Sequence, residues 1–167
     1  MRFIPTLSLL LLGALIGSAA AETTIPDALV AAGEKAVLTL HAEGAQVYEC
    51  KTTADGKLAW AFREPIASLF QDGKTVGRHY AGPSWEHQDG SIVGGRVLGT
   101  AIGATDNDIP WLKLAVVSHR GGNGVLSDIT TVQRINTSGG KLEGACDSAG
   151  QYRSVAYSAD YVFLRKE

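Results

Sequence analysis

The residues best able to do chemistry lie in one run, HYAGPSWEHQDG at positions 79–90, which mixes imidazole, phenol, indole and carboxylate groups. His79, Glu86 and His87 would supply nitrogen and oxygen ligands for a divalent transition metal, or a base with its orienting carboxylate. The spacing of the two histidines matches no named zinc motif, and a catalytic zinc generally takes three protein ligands. A metal-dependent enzyme would therefore have to recruit a distant histidine such as His119.

The same run would also serve a binding site for an organic ligand. Tyr80 and Trp85 would provide stacking surfaces beside the turn at 82–83, and His79 and Glu86 would fix the polar groups of the ligand. The simpler interpretation, which we favour, makes the aromatic residues part of the core or rim of a sheet, with His79 hydrogen-bonded and the histidine at position 87 solvated.

The aromatic residues offer a second way to build a pocket. Trp60, Trp85, Trp111 and Tyr80 would line a site for a sugar, a lipid or another apolar ligand, although a β-domain also needs such residues for its core. Arg134 could clamp a carboxylate or phosphate, but an arginine on an alternating strand is usually on the solvated face, so the sequence alone assigns it no role.

Several classes of function are disfavoured by what the chain lacks. Ser84 has no closing glycine of a nucleophile elbow, no phosphate loop occurs, and the glycines at 94–99 miss the dinucleotide fingerprint. Four histidines are too few for the usual metal set of a copper-zinc dismutase. A net charge of -2 gives no cationic footprint for nucleic acid or an anionic membrane. No motif requires a cofactor.

The first 21 residues have the three parts of a secretory signal peptide. Arg2 precedes an apolar run at 7–16, and three alanines follow at 19–21. The run is shorter than the roughly 20 residues that a transmembrane helix needs, so no membrane anchor is expected. We therefore predict export to a periplasm or the extracellular space, with residues 22–167 as one mature domain.

Export makes the two cysteines informative. In an oxidising compartment Cys50 and Cys146 would tend to pair, and the bridge would serve stability. The alternative is two separate free thiols, because the geometry of a bridge cannot be read from a sequence.

Short apolar or alternating stretches bounded by Gly, Asp, Asn and Pro predict antiparallel β-structure from residue 37 onward. The predicted strands are 37–41, 46–51, 57–63, 75–81, 85–87, 91–97, 111–119, 128–137 and 157–164. Turns are expected at 43–44, 55–56 and 88–90, and Pro65 is expected to end a strand.

The strand at 111–119 has two largely apolar faces, so we expect it to be the most deeply buried. Short helical turns are expected at 26–32 and 64–70. The predicted fold is an all-β, single-domain antiparallel sandwich or barrel with one or two short helical turns.

A series of motifs resembles the exported proteins grouped as domain of unknown function 3455. The motifs are residues 44–50, 79–86, 89–91, 109–112, 133–140, Cys146 and 157–161. Their order and spacing agree over nearly the whole predicted mature chain. The resemblance implies export, a single domain and the pairing of Cys50 with Cys146, and it implies no substrate.

These observations favour a ligand-binding or envelope-associated module whose partner is a small molecule or a component of the cell envelope. The alternative is a metal-dependent enzyme that uses a histidine and glutamate site at 79–87. The oligomeric state is left open.

Overall fold

Eight β-strands make up most of residues 23–167, the part of the chain that the computed structural model describes. The strands are β1 (Glu34–Thr52), β2 (Leu58–Gln71), β3 (Lys74–Tyr80), β4 (Ser84–His87), β5 (Ile92–Ala101), β6 (Trp111–Arg120), β7 (Thr131–Gly139) and β8 (Tyr152–Lys166). The prediction of an all-β fold is confirmed. The predicted signal peptide at 1–21 lies outside the described residues.

The strands form one closed antiparallel barrel in simple chain order. Each strand pairs with the next, and β1 closes the ring by pairing with β8 from Glu34↔Lys166 to Glu49↔Tyr152. Because neighbouring strands run in opposite directions, the β1–β2, β3–β4, β5–β6 and β7–β8 connections share one end of the barrel. The sequence left sandwich and barrel open, and the long β1–β8 pairing decides for a barrel.

Two predicted breaks are wrong, because β1 and β2 each run through them. Gly44 lies inside β1 and pairs with Ala67 of β2, so residues 43–44 form no turn. Pro65 lies inside β2, and residues 64–70 form strand rather than a helical turn. The pairing of β2 with β3 begins only at Ala67, so Pro65 lies where β2 pairs on one side, a position at which proline is tolerated.

The prediction that the strand at 111–119 lies deepest is also wrong. In β6 only Leu114 is fully buried, whereas Val117 is 59% exposed. A barrel has a single interior, and the outer apolar side chains of β6 lie partly in water.

One end of the barrel is closed by packed side chains. Leu126 and Ile129 in the β6–β7 connection are fully buried against the core. Asp89 in the β4–β5 turn fastens that connection, since its carboxylate accepts hydrogen bonds from the Ser91 hydroxyl at 2.6 Å and the Val125 N–H at 2.8 Å. Burial raises the pKa of Asp89, but these hydrogen bonds outweigh burial and hold the pKa well below its usual range.

The segment before β1 covers part of the outer surface. A short 3-10 helix, Asp27–Leu29, lies within the predicted turn at 26–32 and packs on β5 and β6. Gln133 Nε2 donates a hydrogen bond to the Leu29 carbonyl at 2.7 Å, and Lys113 Nζ donates one to the Val30 carbonyl at 2.9 Å.

A disulfide joins Cys50 to Cys146, which lie 96 positions apart, and the predicted pairing is confirmed. It ties the C-terminal end of β1 to the β7–β8 connection, at the end of the barrel opposite the packed one. Within residues 23–167, no helix has the length and apolar character needed to cross a membrane.

Candidate functional site

The end of the barrel opposite the packed one contains a cavity of about 460 Å³. All eight strands contribute to its lining, because inward-facing side chains alternate along each strand. Its deep part is formed by Gln46, Trp85 and Tyr161, together with Leu114 of β6. Its mouth is bordered by the β3–β4 turn and by the segment of β2 that lacks a β3 partner.

Three rings form the aromatic floor of this cavity. His79 is stacked on Trp85, with ring centroids 4.7 Å apart and an interplanar angle of 11°. The Tyr161 ring lies 4.8 Å from His79 and 5.4 Å from Trp85. All three side chains are buried, so the floor is rigid and largely apolar.

His79 is held as a neutral imidazole. Its Nδ1 lies 2.9 Å from the Ser84 carbonyl oxygen, which can only accept, so Nδ1 carries the proton. Burial lowers the pKa of His79 to about 3, although the hydrogen bond to Ser84 acts in the opposite direction. Nε2 is thereby left as an acceptor at neutral pH.

The structure separates the four side chains predicted for an organic ligand. His79 and Trp85 line the cavity, but Tyr80 and Glu86 lie on the outer face of the same strands. There Glu86 Oε2 accepts hydrogen bonds from Arg78 Nη2 at 2.8 Å and from the Tyr80 hydroxyl at 3.2 Å. The hydrogen bond from Arg78 is the main cause that lowers the pKa of Glu86.

The side chains predicted as metal ligands are not brought together either. His79 lies in the cavity, Glu86 lies outside the barrel, and His87 is buried beside Asp89, with Nδ1 3.0 Å from a carboxylate oxygen. His119 Nε2 lies 2.9 Å from the Ile129 carbonyl oxygen. Across residues 23–167, no group of three or more His, Cys, Asp or Glu side chains is placed to hold a metal ion.

Of the aromatic residues predicted to line a pocket, Trp85 alone does so. Trp60, Trp111 and Tyr80 are outside the cavity lining, whereas Tyr48 and Tyr161 belong to it. The alternation of the last strand places Tyr161 on one face together with Phe163. It would have predicted Tyr161 in the cavity if that face had been known to point inward.

The sequence assigned Arg134 no role and favoured a solvated position for it. Arg134 lines the cavity, and its Nε and Nη2 donate hydrogen bonds to the Pro110 carbonyl at 3.1 and 2.8 Å. The missed signal is its position two residues after Val132, which is fully buried in the core. Side chains two positions apart on a strand share a face.

Two buried N–H groups of cavity residues have no acceptor among residues 23–167. They are Nε2 of Gln46, a residue only 2% exposed, and Nε1 of Trp85, a residue only 1% exposed. Buried donors are normally paired, because an unmade hydrogen bond costs about 1–3 kcal/mol.

The fold and the cavity define a class, the closed eight-stranded antiparallel barrel with an internal pocket that opens at one end. The chain belongs to the family described as "Protein of unknown function (DUF3455)", whose model matches residues 31–165. The resemblance noted in the sequence is thereby confirmed. No curated protein and no solved structure matches the chain.

Proposed function

We propose that this protein is an exported binding protein that holds a small, mainly apolar molecule in the barrel cavity. The observation that carries the proposal is the cavity itself, about 460 Å³ and lined mostly by apolar and aromatic side chains with a few polar groups. Ligand pockets in proteins have about this size, roughly 300–1,000 Å³, and this composition.

The contrast between the two ends of the barrel supports a use for the cavity. An eight-stranded barrel is just wide enough either to be filled by side chains or to hold one small ligand. In the packed part of the barrel, the interior is filled by side chains. Among them are the fully buried core residues Leu40, Leu69 and Phe163. An apolar void costs stability, so a cavity that large side chains could have filled is best explained by an occupant.

The shape of the site favours a small molecule over a broad surface of the cell envelope. The lining residues surround the space from every strand, and a concave site of this kind buries most of the surface of a small ligand. Export is supported by the pattern at residues 1–21 and by the disulfide, which persists in oxidising compartments.

The proposal is tested with a neutral apolar fluorophore, N-phenylnaphthylamine, titrated into the protein. We expect saturable binding that octanol displaces. Leu112→Trp, which adds bulk to the cavity wall, should weaken binding by about tenfold or more, equivalent to about 1.4 kcal/mol. The matched control is Val117→Trp on the same strand, whose exposed side chain lies outside the cavity lining, and it should bind as the natural protein does.

Absence of saturable binding to the natural protein, or equal binding by L112W and V117W, would contradict the proposal. If L112W does not fold, Val97→Trp replaces it, because Val97 lines the cavity and is already 44% exposed. Thermal melts of all variants establish that they are folded.

A further inference from the structure

The charges that line the cavity have one sign. Arg63 and Arg134 line it, and no Asp or Glu of the described chain does. Arg63 is already neutralised at the mouth, since its Nε lies 3.1 Å from the Glu64 carboxylate and its guanidinium lies 4.9 Å from the centre of the Tyr152 ring. Arg134 forms no ion pair with any Asp or Glu between residues 23 and 167.

The guanidinium of Arg134 is positioned by hydrogen bonds but keeps N–H donors for a ligand. Both of its hydrogen bonds go to one acceptor, the Pro110 carbonyl oxygen. An arginine has five N–H donors, so the two hydrogen bonds to Pro110 leave further donors that a ligand can use. Arg134 is directly opposite Tyr161 in the β7–β8 ladder, which places its charge beside the aromatic floor.

Two buried N–H donors of the cavity lack acceptors within the described chain, while the neutral His79 offers one acceptor, Nε2. Nε2 of Gln46 and Nε1 of Trp85 are buried without acceptors, and an indole N–H or a guanidinium can only donate. An amine would add further donors and a second positive charge. An alcohol would satisfy one donor and leave the charge of Arg134 without a counter-ion.

We propose that the ligand is an amphipathic carboxylic acid, whose carboxylate binds Arg134 with Gln46 and Trp85 as further donors and whose apolar part fills the rest of the cavity. The inference rests on the binding function proposed above. A carboxylate matches the planar fork of a guanidinium and forms the stronger, charge-assisted class of hydrogen bond. A phosphate dianion is disfavoured, because one free guanidinium would leave part of its charge buried and unpaired.

The remaining lining suits the apolar part of such a ligand. Leu112, Ile109 and Val97 supply apolar side chains to the cavity wall. Phe62 at the mouth is 54% exposed, and its ring lies 5.8 Å from that of Tyr48. A linear or aromatic chain could therefore lie along an apolar wall while its carboxylate stays at Arg134.

The test compares octanoate, octanol and octylamine, which share one alkyl chain and differ in charge, by isothermal titration calorimetry. We expect octanoate to bind at least about tenfold tighter than octanol, and octylamine to bind most weakly. Arg134→Gln should weaken octanoate about tenfold or more while octanol changes less than about twofold, so that the preference disappears. Arg96→Gln is the matched control and should keep the preference, because Arg96 is exposed and lies outside the cavity lining.

The possible failures are distinguishable. If octanol binds as tightly as octanoate, or if R134Q keeps the preference, this inference is wrong while the cavity remains a binding site. If neither the three probes nor the neutral fluorophore binds, the proposed function itself fails. If R134Q does not fold, the ranking of the three probes on the natural protein decides the question.

Discussion

At the scale of the residue, the reactive side chains of residues 79–90 lie on two opposite faces of a single hairpin. His79 and Trp85 are cross-strand partners that face the cavity, and Arg78 and Glu86 are the next pair, which faces outward. Neighbouring side chains on a strand point to opposite faces, so a dense cluster in sequence becomes two separate environments. The inner one is buried and aromatic, and the outer one is an exposed ion pair.

The buried imidazole makes the stability of the protein depend on pH. The pKa of His79 is about 3 in the folded chain, against about 6.5 in an unfolded chain. Between these values the unfolded chain binds a proton on this ring and the folded chain does not, so stability falls as the pH falls.

We expect the free energy of unfolding to decrease by about 2 kcal/mol between about pH 7 and about pH 5, and the slope to be smaller in His79→Gln. Denaturant unfolding at a series of pH values measures both slopes. The carboxylates of Glu86 and Asp89 have lowered pKa values and contribute only at lower pH. Equal slopes in the two proteins would show that His79 does not cause the effect.

At the scale of the element, the long strands β1 and β2 depend on a close approach that only glycine allows. A Cβ on Gly44 would lie 2.1 Å from the Ile66 carbonyl oxygen and 2.5 Å from the Ala67 Cα. These are backbone atoms of β2, which cannot move without disturbing the ladder between the two strands. Gly44 is therefore required by the crossing of two strands, and its presence was mistaken for a turn.

Gly44→Ala should lower the free energy of unfolding by about 1–3 kcal/mol or more, the cost of overpacking a well-packed site. Gly122→Ala is the matched control, because a Cβ at Gly122 meets no atom within 4 Å. It should change stability by no more than about 0.5 kcal/mol. Chemical denaturation of both variants gives the comparison, and a G44A protein as stable as G122A would mean that the two strands do not approach so closely.

At the scale of the whole molecule, two long-range links set the form of the barrel. The β1–β8 ladder closes the ring, and the Cys50–Cys146 bridge ties the end of β1 to the connection that precedes β8. The bridge lies at the end of the barrel where the cavity opens, so it restrains the surroundings of the mouth. Leu126 and Ile129 pack the other end.

Removing the disulfide should have a large effect on stability. Its two cysteines are 96 positions apart, and closing a loop of this length stabilises the folded state by about 4–5 kcal/mol in the chain-entropy model. We expect Cys50→Ser with Cys146→Ser to lower the free energy of unfolding by several kcal/mol, measured by denaturant unfolding without reductant. A loss below about 1 kcal/mol would indicate that this bridge restricts the conformations of the unfolded chain only slightly.

The sequence by itself determined the all-β class, the pairing of the two cysteines and the turns at 55–56 and 88–90. These features depend on local residue types or on a count of two, and both are visible in a sequence. It also determined the family, because the order of several motifs is specific.

Only the tertiary structure decided which face of each strand points inward. Alternation shows that His79 and Trp85 differ in side from Tyr80 and Glu86, but it cannot say which side is the interior when both faces carry apolar or aromatic residues. That choice depends on the closure of β1 against β8, a contact between opposite ends of the described chain. The same closure places Arg134, for which the strand pattern favoured a solvated position, in the lining of the cavity.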